Sequence, residues 1–143
     1  MAILMSPLDY AIENEKFAKV AISKGAFDQA KKYLDEAIKT LKSSESSEFE
    51  FTDLLVILKK ILNGYITIKD FPSAIDTLNF IHSVTKGRIS VVNDVKNLLK
   101  NIPQNFNILP YEENLRKLVG NNSELVDLLN ILVENSKKLS QGQ

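Results

Sequence analysis

The sequence predicts an all-α protein, on two observations. Apolar residues recur three or four apart through almost every long stretch, which is the period of an amphipathic helix. Five glycines and four prolines in 143 residues enforce few turns. With 44% hydrophobic and 25% charged residues, the chain has the composition of one globular domain, expected over residues 1–143.

Seven helices are expected. Ser6 caps the first, with Pro7 in the first helical position, Asp9 completing a capping-box-like pattern, and Met5 and Tyr10 placed as a hydrophobic staple. This helix passes Phe17, Val20 and Ala21 and stops at Lys24-Gly25. The second runs from Phe27 to about Lys42 with Ala30, Tyr33, Leu34, Ala37, Ile38 and Leu41 inward. Residues 43–50 (SSESSEFE) read as a solvated loop, and Phe49 and Phe51 as its tether to the core. Thr52 caps a third helix, Leu54 to Ile68, whose strongly polar positions are Lys59, Lys60, Asn63 and Thr67, with Lys59, Asn63 and Thr67 along one narrow stripe. The rest of it is expected to be buried, at the centre of the bundle. Asp70 caps the fourth, Phe71 to Thr85, and Ser90 the fifth, which Pro103 stops. After an extended connection over 103–110, a short sixth helix spans Tyr111 to Val119, and the seventh runs from Ser123 to about Leu139 with a wide apolar face.

The first four helices contain an internal repeat. Setting Lys24-Gly25-Ala26-Phe27 against Ile68-Lys69-Asp70-Phe71 puts Phe17-Ala18 opposite Ile61-Leu62 and Ala21 opposite Tyr65. Downstream, Ala30, Leu34 and Ala37 fall opposite Ala74, Leu78 and Ile81. The offset is 44 residues, and removing the ten from Ser43 to Thr52 leaves a 34-residue unit. Over residues 11–87 this resembles the tetratricopeptide-repeat family. The second hairpin matches it through Leu58, Ile61-Leu62, Tyr65, Asp70-Phe71, Ala74 and Leu78. The first matches through Phe17-Ala18, Gly25, Phe27, Ala30, Leu34 and Ala37, with Asn14 where the family has a bulky residue. The resemblance implies that Phe27 and Phe71 wedge the turns. Two repeats fall short of a self-supporting solenoid, so the last three helices are expected to close the fold. Residues 10–41 are also similar to the microtubule-interacting and transport domain. Both families bind peptide segments in helical grooves.

In such a groove the first helix of each hairpin lines the concave face, which nominates Glu15, Lys19 and Ser23 with Lys59, Asn63 and Thr67, bordered by Ile66. Lys59 and Asn63, one turn apart, have the donors to grip a peptide carboxylate or backbone. The alternative is that they are the solvated stripe of a central helix. The 43–48 serines are either a phosphorylation-prone switch or a plain insertion.

Little else in the sequence carries chemistry. Absence of cysteine excludes disulfides, thiolate zinc, iron–sulfur ligation and cysteine nucleophiles. His82 is the only histidine and has no companion ligands; carboxylates adjacent in sequence on a helix point in different directions. No catalytic or cofactor motif is present, so neither enzymatic activity nor a cofactor is expected. Lysines on the first two helices are interleaved with acids, and 18 basic residues balance 18 acidic ones, which disfavours nucleic acid. Met1 to Met5 is too short for a signal peptide, and no run is long enough to span a membrane, so a cytoplasmic protein is expected. The expected function is a non-catalytic module or adaptor that binds a peptide or helix of a partner protein. The alternatives are a subunit of a homo-oligomer or larger complex joined through the seventh helix, and an accessory subunit of a nucleic-acid-processing complex.

Overall fold

The computed structural model describes residues 5–44 and 51–141, which form seven α-helices and no strand. They are α1 (Pro7–Ser23), α2 (Phe27–Lys42), α3 (Phe51–Thr67), α4 (Phe71–Thr85), α5 (Val92–Asn101), α6 (Glu112–Val119) and α7 (Ser123–Gln141). The chain divides into two compact units, Met1–Asp70 and Phe71–Gln143. The division falls in the turn of the expected second hairpin, so α3 belongs to one unit and α4 to the other.

In the first unit, the Ser6 hydroxyl accepts the Asp9 N–H at 3.1 Å and Pro7 opens α1, as the capping pattern requires. Met5 and Tyr10 are both exposed. Gly25, at φ 75°, ends the helix with the Gly25 and Ala26 amides bonded back to Ile22 and Ala21. The hairpin of α1 and α2 buries small residues on both helices, Ala11, Ala18 and Ala21 on one and Ala30 and Ala37 on the other, and small side chains allow close approach. Phe17 is 46% exposed, although the register sets it opposite the buried Ile61, and packs on Tyr33 with ring centroids 5.4 Å apart. Phe27 is likewise half-exposed, whereas Phe71, its counterpart in the register, is buried. At the end of α2 the hydroxyls of Ser43 and Ser44 donate to the carbonyls of Lys39 and Thr40, and the Lys39 carbonyl also accepts the Ser43 amide. The remainder of the serine-rich stretch, with Phe49, lies outside the described residues.

Helix α3 begins at Phe51, so Thr52 lies inside its first turn and does not cap it; Phe51 is 46% exposed. Leu54, Ile57, Leu58, Ile61, Leu62, Tyr65 and Ile66 are buried, and α3 packs on both α1 and α2. Contrary to expectation an apolar residue stands on its open face, Val56, which is 50% exposed. Gly64 lets α3 approach α2, since a Cβ there would lie 2.9 Å from Leu34 Cδ2. Lys69 adopts φ 65° and its amide bonds to Ile66, while the Asp70 amide bonds to Tyr65, so the stop of α3 repeats that of α1 with lysine in place of glycine. A polar cluster anchors this end. Lys31 donates to Asp70 at 2.7 Å and reaches Asp35, and the Tyr65 hydroxyl donates to Asp35 at 2.6 Å. The hydrogen bond to Asp70 raises the Lys31 ammonium above its ordinary pKa, against partial desolvation.

In the second unit, α4 packs on α5 and α6, and α7 on α5 and α6. Phe71 is buried against Phe106, with centroids 5.5 Å apart. The Ser90 hydroxyl accepts the Val92 amide at 3.3 Å, although Val91 occupies the cap position of α5. Ile102 is extended, as the residue before Pro103 must be. The 103–110 connection ends in a single 3₁₀ turn, Leu109–Tyr111. The buried Ser136 hydroxyl ties it to α7, accepting the Ile108 amide at 2.9 Å and donating to the Phe106 carbonyl. Leu125, Leu129, Leu132 and Val133 of α7 are buried, and Lys96 pairs with Glu124, holding that carboxyl below its ordinary pKa. No described helix is long and apolar enough to cross a membrane.

Candidate functional site, a groove between α1 and α3

Two adjoining pockets in the first unit share Lys60 as a common wall. One, of about 290 Å³, is lined by Glu15, Ala18, Lys19 and Ile22 of α1, Leu34 of α2, and Lys60, Asn63, Gly64 and Thr67 of α3. The other, of about 280 Å³, is lined by Leu8, Asp9 and Ile12 of α1 with Asp53, Val56, Ile57 and Lys60 of α3. The early turns of α1 face the early turns of α3 and the late turns face the late ones, so the two helices run parallel. Asp9 and Asp53, Ile12 and Val56, and Lys19 and Asn63 stand across from each other, each pair separated by the 44-residue offset. From Leu8 to Ile22 the groove follows about 21 Å of helix axis, the reach of about six extended residues.

The groove grades in character along its length. Asp9 and Asp53 give one end two exposed carboxylates, Ile12, Val56 and Ile57 form an apolar stretch, and Lys60 stands at the junction of the pockets. Beyond it, Lys19 and Asn63 are exposed at the rim, while Ala18, Ile22 and Leu34 line the interior. The Thr67 hydroxyl donates back to the Asn63 carbonyl at 2.8 Å, leaving the Asn63 side chain at the groove surface.

Of the residues the sequence nominates, Glu15, Lys19, Asn63 and Thr67 come together in the first pocket. Lys59 is half-buried and lines neither pocket; its neighbour Lys60 takes that place. Ile66 is buried in the core, and the exposed Ser23 hydroxyl is turned to the Val20 carbonyl at 2.6 Å. Glu15, expected on the open face, is only 5% exposed. The sequence reading missed Lys60 and Gly64, and for Lys60 the signal was present: Asn63, Gly64 and Thr67 are three, four and seven residues beyond it, as good a helical stripe as one drawn from Lys59. His82 is exposed, and no cluster of metal-ligating side chains occurs among the described residues. Comparisons with protein-family models, curated proteins and solved structures returned no match to this chain.

Proposed function

We propose that this protein is a non-catalytic interaction module whose α1/α3 groove binds a peptide segment of a partner protein. The observation that carries the reading is the pair of pockets between two parallel helices, joined at Lys60 and each lined by paired positions of the internal repeat. Its mixed lining, apolar at the floor and charged at the rim, is that of a peptide site. The sequence resemblance to tetratricopeptide repeats and to the microtubule-interacting and transport domain supports the same reading.

Assembly through α7 is the weaker reading, because most of the apolar face that suggested it is buried within its own unit, with Ile131 and Leu139 the large apolar side chains left exposed. The test is a peptide-display selection against the wild-type protein, followed by binding measurements on Asn63→Tyr. Asn63 is exposed, so tyrosine there fills the groove without entering the core. Selected peptides are expected to shift amide resonances along α1 and α3 and to bind the variant at least about tenfold more weakly, since a blocked contact of about 1.4 kcal/mol is a factor of ten. Peptides that bind both proteins equally would place recognition elsewhere.

A further inference from the structure

Glu15 is a carboxylate in an unusual position. Its side chain is 95% buried by the packing of the hairpin, it lines the larger pocket, and no described residue gives it a hydrogen bond or an ion pair. Lys19 and Lys60 line the same pocket without pairing with it. Every fully buried polar side-chain atom among the described residues has a partner, so the small exposed part of Glu15 includes its carboxylate oxygens. An unpaired carboxyl group held in the pocket with its oxygens open is placed to accept hydrogen bonds from a donor that enters it.

We propose that this pocket is a socket for an arginine side chain of the bound peptide, an inference that rests on the groove being the peptide site. Three features select the chemistry. The carboxylate accepts the two parallel N–H groups of a guanidinium, and this group gives up water more readily than an ammonium, which favours arginine over lysine at a nearly enclosed site. Ala18, Ile22 and Leu34 supply apolar surface for the methylene stem, and the Asn63 amide oxygen accepts a further N–H at the rim. The volume, about 290 Å³, lies at the low end of small-ligand pockets, so it suits one long side chain. The exposed carboxylates of Asp9 and Asp53, at the end of the groove beyond Lys60, suit a second basic residue of the segment there.

The test begins with groove-binding peptides from the display selection and compares each with its arginine-to-citrulline analogue, which keeps the shape and removes the charge. Both are titrated by calorimetry into wild type and Glu15→Gln, with folding of the variant verified by circular dichroism. Arginine is expected at one fixed position of the selected peptides. Citrulline is expected to weaken wild-type binding at least about tenfold, and Glu15→Gln to weaken the arginine peptide similarly while leaving the citrulline peptide unchanged. Because citrulline leaves the protein untouched, the result stands even if Glu15→Gln perturbs folding. Peptides that are blocked by Asn63→Tyr but carry no arginine, or that are indifferent to citrulline, would overturn the socket and leave the groove standing. Peptides indifferent to Asn63→Tyr would overturn both.

Discussion

Lys69 and Gly25 perform the same task with different means. Each sits two residues past a helix end in the left-handed region, where a side chain costs about 1–2 kcal/mol unless the residue is glycine. Lys69→Gly is therefore expected to stabilise the protein by about 0.5–1 kcal/mol, the relief of strain outweighing the greater freedom of glycine in the unfolded chain. Gly25→Ala is expected to cost about 1 kcal/mol, and that cost is purely conformational because a Cβ at Gly25 meets nothing within 4 Å. Urea unfolding of both variants checks the pair; a loss of stability in Lys69→Gly would show that the lysine side chain contributes more than its backbone costs. The site was only partly legible at this scale. Glu15, Lys19, Asn63 and Thr67 follow from helical spacing, but a repeat of 3.6 cannot decide between Lys59 and Lys60, which lie four and three residues before Asn63. Burial of Glu15 was not legible, because a carboxylate in a helix reads as surface until its neighbours are known.

Helix boundaries and stops were largely read from capping and turn chemistry, and α2 and α4 have the expected limits. The orientation of α1 was less accessible. Its buried face carries Ala11, Ala18 and Ala21 with Asn14 and Glu15, while Phe17 and Val20 stay outside. Apolar periodicity assumes that the larger side chains go inward; here α2 and α3 supply the bulk, with Leu34, Leu41, Leu58 and Tyr65, and α1 fits against them by being narrow. Gly64 follows the same logic. Valine there is expected to cost about 2 kcal/mol or more, despite replacing a poor helix former, because its side chain would overlap the fully buried Leu34. Thermal unfolding of Gly64→Val measures this, and an unchanged midpoint would mean that α2 and α3 separate easily at that level.

The whole chain was expected as one domain of repeat-like hairpins closed by three helices, and it folds as an all-helical chain whose compact units meet in sequence at Asp70 and Phe71. Local sequence gave no sign of that division. The Ile68-Lys69-Asp70-Phe71 turn matches Lys24-Gly25-Ala26-Phe27 in register and in its hydrogen bonds, and a turn motif reports only how the chain reverses. Separate cores imply separable stabilities. Leu129→Ala, at a fully buried position of α7, is expected to cost the second unit about 2–5 kcal/mol. Hydrogen exchange is the readout, with amide protection falling across α4 to α7 and persisting in α1 to α3; a uniform fall would show one cooperative unit.

The Ser136 hydroxyl gives the 103–110 connection a property that surface loops ordinarily lack. Loops drift in length because little fixes both of their ends, whereas here one oxygen on α7 engages the Phe106 carbonyl and the Ile108 amide together. Adding or deleting a residue between these two positions would pull one group out of reach and strand a buried polar atom. The connection is thus free to vary in the exposed side chains of Gln104 and Asn105, while the number of residues between Phe106 and Ile108 is held constant by a partner 28 positions further along the chain.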